Sequence, residues 1–463
     1  MTEQVELSKS YEYLGTWWKA SDPKRTHRGV LKLTPNGISL NLDGERNSLV
    51  GFLNYNSSKD GPINGMALDG RKFTLTKAFS GGGSFSVQET HKIFSNLCVI
   101  GGYFETDANI KFDNLTVYLS QFENWLQFTP FKSRDNFIKG IHSVSFRHPD
   151  TLFEIEVQSI PGRIRTAHSM SFSGGFFEKI EWTHLPGITI ETNALIDESK
   201  LWDLTYSMEQ LFSLLLGFPV HPKFINCSNK RGAPELFNIY FSLYGKAGIG
   251  SEDYDAYEVI MPLPKIKSKL PKIFNAWFSL ALKERPLRHL FSGRFSESGK
   301  YTTAHFLNYM QALEIYARIN FHKPLMNINK FSKVRAALLS AIPGNISRVE
   351  VGELEGKIKN MNQPSLRQRM KELISALPKG AREPFGFDDS YIAKLVNTRN
   401  FFTHYSLKPT RGIFSENELM RVIDKLACLL IVVQLRSLGL SPTEVVKRLK
   451  RTWRYHFILD GKP

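Results

Sequence analysis

The chain has 463 residues, 42% of them hydrophobic and 22% charged, a length and balance that suit two or three domains of a soluble protein. Its opening MTEQVELSKS lacks the apolar run of a signal peptide, and the longest strongly apolar stretch, Leu426–Leu435, is about half a membrane span, so no membrane partner and a cytoplasmic place are expected. The net charge of +16 is uneven: residues 1–290 hold 32 basic and 30 acidic side chains and residues 291–463 hold 28 and 14, a field that favours a polyanion, with nucleic acid first.

Residues 1–195 read as β-rich. GVLKLTPNGISLNL alternates apolar and polar residues on both sides of Pro35-Asn36-Gly37, a hairpin signal. KFTLTKAF, NLTVYLS, TLFEIEVQSI and GITIETN alternate too. Gly81-Gly82-Gly83-Ser84 is no phosphate loop, because no Gly-Lys-Ser/Thr follows it; a loop or bulge is expected. From Asp197 the period lengthens, and ESKLWDLTYSMEQLFSLLLGFP reads as a helix stopped by Gly217 and Pro219. LFNIYFSLYG and YEVIMPL read as a short β-like pair. PLPKIKSKLPK reads as a basic connector to a further helical stretch, IFNAWFSLALKE. The pattern breaks between Arg285 and Lys300, which predicts a β-rich domain with some helices over 1–290 and an all-helical domain over 300–463.

In the second domain, helical spacing puts Phe306, Met310, Leu313 and Ala317 on one face. Asp388, Asp389 or Ser390 can cap a helix that carries Ile392, Leu395 and Val396 inward. Ser415 and Glu418 form a capping-box signature ahead of a long apolar helix. Ser441-Pro442-Thr443-Glu444 repeats it.

An Arg followed five residues later by a His occurs three times, and spacing alone cannot choose among the three. Arg163 and His168 fall in the β-rich part, where nothing else suggests chemistry. Arg451 and His456 fall in KRLKRTWRYH, whose Lys447, Arg448, Lys450, Arg451 and Arg454 read as an electrostatic surface for RNA. Arg399 and His404 fall in RNFFTH, late on a helix of the basic domain. Helix geometry sets them about 140° apart around the axis and about 7.5 Å along it. Asn400 and His404 share a face, and Phe401 and Phe402 offer apolar anchors. The bland alternative is an Arg paired with a carboxylate and an ordinary half-buried His. Cys98, Cys227 and Cys428 are scattered, and no clustered His, Cys, Asp or Glu set suggests a metal or another cofactor.

RNFFTH resembles the Arg-x(4–6)-His motif of HEPN-domain ribonucleases. FLNYMQALEIYAR, from Phe306 to Arg318, is similar to an early helix of the ApeA-like HEPN group. YLGTWWKASDPKRTHRGVLKLTPNGISLNLDG and NLTVYLSQFENWL resemble segments of the ApeA N-terminal domain. The resemblance touches both ends of the chain but not the final KRLKRTWRYHFILDGKP. It implies an α+β chain: a β-rich sensing or regulatory domain, then a helical HEPN bundle that dimerises, or forms a higher homo-oligomer, and cuts RNA without a metal. It also implies anti-phage defence by abortive infection, with a phage-derived trigger at the N-terminal domain. On that reading His404 is the general acid or base, Arg399 stabilises phosphate and Asn400 orients. Glu314 would position helix partners or the active-site Arg. The rival reading is a non-catalytic RNA-binding or protein-interaction module.

Overall fold

The computed structural model describes residues 4–43, 52, 55–84, 90–136, 141–174, 180–229, 235–242, 254–296, 303–321, 323–404 and 412–459. The chain packs as two compact units, Met1–Ser279 with Phe295–Ser298 and Leu280–Arg294 with Gly299–Pro463.

The first unit is built on strands. They are β1 (Tyr11–Lys19), β2 (Asp22–Thr34), β3 (Gly37–Asp43), β4 (Ile63–Ala67), β5 (Lys72–Thr76), β6 (Phe79–Ser84), β7 (Thr90–Ser95) and β8 (Leu97–Ile100). After them come β9 (Phe112–Leu119), β10 (Phe131–Asn136), β11 (Ile141–Phe146), β12 (Glu154–Val157), β13 (Gly162–Ser173), β14 (Glu181–Ile196), β15 (Pro222–Asn229) and β16 (Glu235–Phe241). Fourteen form one sheet in the order β12-β13-β14-β9-β15-β16-β8-β5-β4-β1-β2-β3-β7-β6, and β10 with β11 forms a separate hairpin. Every pairing is antiparallel. The N-terminal alternation acts as expected. Thr34 pairs with Gly37, leaving Pro35 and Asn36 as a tight turn, and Leu31, Leu33, Ile38, Leu40 and Leu42 are buried on one face. The glycine run lies within β6, where Ser80 pairs with Ile93 and Gly83 with His91, so a bulge absorbs the extra residue. A Cβ at Gly81 would collide with the Phe94 ring.

Helix α1 (Glu198–Leu216) starts at Asp197, whose carboxylate accepts from the Lys200 N–H at 2.9 Å, and stops at Gly217 in the left-handed region, φ 88°. YEVIMPL departs from the expected strand. The Ile260 and Met261 N–H groups donate to the Leu216 and Leu215 carbonyls at 3.1 and 2.8 Å, so this segment satisfies the end of α1 instead of a sheet edge. The expected basic connector is itself helical: a short turn at Leu263–Ile266, a 3-10 turn at Lys267–Lys269, then α2 (Leu270–Ser279), which buries Ile273, Phe274 and Trp277.

The second unit is helical. It holds α3 (Ala281–Ser296), α4 (Thr303–Asn320), α5 (Ile328–Ser340), α6 (Arg348–Asn360), α7 (Leu366–Ser375), α8 (Asp389–His404), α9 (Glu416–Ser437), α10 (Pro442–Leu449) and α11 (Trp453–Leu459). α3 runs through the stretch where the apolar period breaks, because Glu284 and Arg288 are buried as an ion pair at 3.9 Å among Leu287 and Phe291. Buried charge hides the stripe that marks a helix. α9 is the central element, with Leu426–Leu435 buried on all sides, and α4 buries Phe306, Met310, Leu313 and Ala317 against it. Among the described residues no helix is long and apolar enough to cross a membrane.

Candidate active site

Three helices bring the candidate residues together. α4 packs on α7 and on α8, and α7 packs on α8. α8 begins at Asp388, whose carboxylate accepts from the Tyr391 N–H at 2.7 Å, and buries Ile392 and Leu395 while Val396 stays half-buried. Three further contacts fix its roll. The Lys394 ammonium meets the Glu418 carboxylate of α9 at 2.7 Å. The buried Thr398 hydroxyl donates to the Lys394 carbonyl at 2.8 Å and accepts from the Phe414 N–H at 3.0 Å. Phe402 meets Phe306 of α4 edge-on, ring centres 6.2 Å apart. α9 is capped as the sequence predicts: the Ser415 hydroxyl accepts from the Glu418 N–H, and the Glu418 carboxylate accepts from the Ser415 N–H at 2.8 Å. The parallel expectation at Ser441 fails. Pro442 takes the first helical position, but Ser441 makes no side-chain cap bond.

With α8 so held, Arg399 lies half-buried on the side that faces α4, and Asn400, Thr403 and His404 are exposed. The Arg399 guanidinium reaches to 4.0 Å from the Glu314 carboxylate of α4 and donates to the Asn400 side-chain carbonyl at 3.2 Å. Glu314 is held in turn by Arg318, one turn along α4, through two N–H donors at 2.7 and 3.1 Å. Arg369 of α7 completes the group. Burial, and then the charge of Arg318, pull its guanidinium below the usual range, while Glu314 and Glu372 act in the opposite sense. Two carboxylates, Glu314 and the Glu372 that acts on Arg369, thus stand among three guanidinium groups from three helices. Such a surplus of positive charge suits a phosphate, and the exposed His404 ends the same helix.

Sequence reasoning named Glu314 and missed Arg318, although its place four residues on along the helix is the signal that could have found it. Arg369 carried no signal, because it comes from another helix and is buried there.

The other two Arg–His pairs have different partners. The Arg163 guanidinium joins Glu154 of β12 at 2.9 Å and Glu191 of β14 at 3.1 Å, a strand-to-strand brace. His168 faces His184 with ring nitrogens 3.0 Å apart, and burial followed by the charges of His184 and His148 pushes it down to about 4. In the C-terminal basic stretch the His456 ring meets the Lys450 carbonyl at 2.9 Å. Lys447, Arg451 and Arg454 are exposed there, and Arg448 and Lys450 are half-buried, so they form a basic surface separate in sequence from the Arg399 group. Among the described residues no group of three or more His, Cys, Asp or Glu side chains is placed to hold a metal ion.

Comparison with known proteins agrees with this architecture. The family model for ApeA N-terminal domain 1 matches residues 12–277, and that for Apea-like HEPN matches residues 307–444. No curated protein and no solved structure gives a significant match. The first family match spans most of the β unit, and the second takes in most of α4 and all of α7 and α8, with Glu314, Arg399 and His404. The chain therefore belongs to the ApeA family, with an ApeA N-terminal domain followed by an Apea-like HEPN domain.

Proposed function

We propose that this chain is an endoribonuclease of anti-phage defence that cuts RNA without a metal and acts from the cytoplasm by abortive infection. HEPN domains are usually ribonucleases and the ApeA-like architecture implies an anti-phage role, which supports the class. The observation that carries the reading is the Arg399 guanidinium, braced by Glu314 and Asn400 on the helix that ends at His404.

In the proposed reaction an RNA 2′-hydroxyl attacks its own phosphodiester. A 2′-O–P bond forms and the P–O5′ bond breaks, leaving a 2′,3′-cyclic phosphate and a free 5′-hydroxyl. One imidazole takes the proton from the 2′-hydroxyl and a proton is returned to the leaving 5′-oxygen. His404 performs one or both transfers, and in a dimer the two copies divide them. Arg399 stabilises the charge that grows on the phosphorane oxygens, and Asn400 orients the guanidinium. Lys447, Arg448, Lys450, Arg451 and Arg454 would hold the RNA backbone. The N-terminal unit would restrain the nuclease until a phage-derived trigger binds it.

Purified protein should cleave RNA in EDTA once phage-infected cell extract is added, and much less without it. His404→Ala and Arg399→Ala should each lower cleavage by roughly a hundredfold or more. Full cleavage by both variants would remove this site. RNA binding without cleavage, in the resting and the triggered state alike, would favour the non-catalytic reading that the basic C-terminal surface also supports.

A further inference from the structure

The last two helices carry a feature outside the Arg399 group. The Apea-like HEPN match ends at residue 444, so most of α10 and all of α11 lie beyond it. Tyr455 and Leu459 are buried and seat α11 on α9, which fixes its roll. A residue two positions from Tyr455 lies about 200° around the axis, so Trp453 and Phe457 both point away from that seat, about 40° apart. Their exposure agrees: Trp453 is 74% and Phe457 55% exposed. Single exposed rings are ordinary on a protein surface, but here two stand one turn apart on one face. Phe457 is held from the side by the His456 ring, centres 5.3 Å apart, and His456 is itself tied to the Lys450 carbonyl.

Cations surround the two rings. Lys447, Arg451 and Arg454 are exposed on α10, on α11 and on the turn between them. A helical turn at Lys379–Arg382 packs on α10, where a Cβ at Gly380 would touch the Thr443 methyl at 3.6 Å, and adds the exposed Lys379 and Arg382. The same segments carry Glu383 and Glu444, of which Glu383 lies 3.7 Å from Lys379. The cations crowd one another: burial, and then the charge of Arg451, pull the Arg448 guanidinium below its usual range, against the opposite pull of Glu444. A polyanion relieves that crowding, and the rings add a demand that phosphates alone do not meet. A duplex keeps its bases stacked inside and offers these rings no π face. An unpaired strand offers bases for stacking beside its phosphates. A membrane surface would ask for a continuous apolar face, whereas one side of α11 is occupied by α9 and Arg454 and His456 flank the other. We infer that Trp453 and Phe457 form a base-stacking subsite for unpaired RNA, set among the cations of α10 and α11 and separate from the Arg399 group. The inference rests on the RNA partner of the proposed function and extends it: this surface selects single strands, and the Arg399 group acts on the phosphodiester.

Binding of a labelled 2′-O-methyl oligouridylate of about 12 nucleotides to the full chain, read by fluorescence anisotropy in EDTA, tests it. That probe has no free 2′-hydroxyl, so the proposed reaction cannot consume it. Trp453→Ala with Phe457→Ala, both at exposed positions and with the fold checked by circular dichroism, should weaken binding by about tenfold or more. The same pair of changes should weaken binding of a 2′-O-methyl duplex of equal length by less than about threefold, and Trp453→Phe with Phe457→Tyr should restore most of the single-strand affinity. Arg451→Gln with Arg454→Gln should weaken both probes and flatten their salt dependence, which the alanine pair leaves unchanged. A single strand that does not bind, or that the alanine pair holds as tightly as the unaltered chain, overturns the subsite. An equal loss for strand and duplex overturns it too. So does a loss of binding to phosphatidylglycerol vesicles with the RNA probe unaffected, which would assign the rings to a membrane surface. Binding is read here and not cleavage, so failure of the subsite leaves the Arg399 site standing, and loss of cleavage in His404→Ala leaves the subsite standing.

Discussion

Glu314 serves two masters. Its carboxylate braces Arg399 at 4.0 Å and also offsets the buried Arg369, so removing its charge has a structural and a functional consequence. Glu314→Gln should lower the melting temperature of the helical unit and reduce RNA cleavage together. Adding Arg369→Gln removes the buried charge that has lost one of its two carboxylates, so the double variant should regain much of its melting temperature while cleavage stays low. Recovery of both would make Glu314 purely structural. At this scale a sequence signal exists where partners lie within a helical turn, as with Glu314 and the Arg318 that went unread. It was silent where three helices meet, as with Arg369. Spacing alone could not rank the three Arg–His pairs either. Their partners differ only in the folded chain, where Arg163 is consumed by Glu154 and Glu191.

Most elements with a local signature formed where the signature placed them, the Ser441 cap being an exception. The Pro35-Asn36 turn, the helix that follows Asp197, the Ser415 cap and the α4 face depend on residues within a few positions of one another. Errors arose where a distant group intervened: YEVIMPL spends its N–H groups on the end of α1, and α3 hides its stripe behind Glu284 and Arg288. The start of α9 makes a local prediction. Hydrogen bonds from Lys394, and then from Ser415, hold the Glu418 carboxyl down at about 2, below its ordinary 4.5. A carboxyl depressed in this way stabilises the folded helical unit above pH 4.5, and that contribution fades as the pH falls toward 2. Ser415→Ala should therefore cost about 1 kcal/mol at neutral pH. It should also make the acid loss of stability shallower, measured as melting temperature against pH. A loss of equal steepness in both proteins would show that the cap does not set the Glu418 carboxyl.

The two units answer to different titrations. In the β unit burial pushes His27, His91, His168 and His184 below the ordinary 6.5, His168 to about 4. These histidines stay neutral when folded and take up protons on unfolding, so the β unit is fully stabilised above pH 6.5 and weakens as the pH falls toward 4. The Glu418 contribution in the helical unit is lost only below 4.5. Calorimetry at pH 7 and then pH 5 should show two transitions, of which the β transition falls first. A single transition that moves as one would mean that the units unfold as one cooperative body.

The pairing of β8 with β16 carries a consequence for how the chain is made. Ile100 lies beside Asn238 and Leu97 beside Phe241, so the middle of the sheet closes only after 241 residues have been synthesised. Sheets with such distant pairings fold slowly, and domains of a nascent chain tend to fold in order from the N-terminus. Arg399 and His404 leave the ribosome more than 150 residues later. A chain that holds the proposed RNA-cutting residues beyond its β unit completes the β unit first. The ribosome that makes it is thus exposed to those residues only after the β unit has been made.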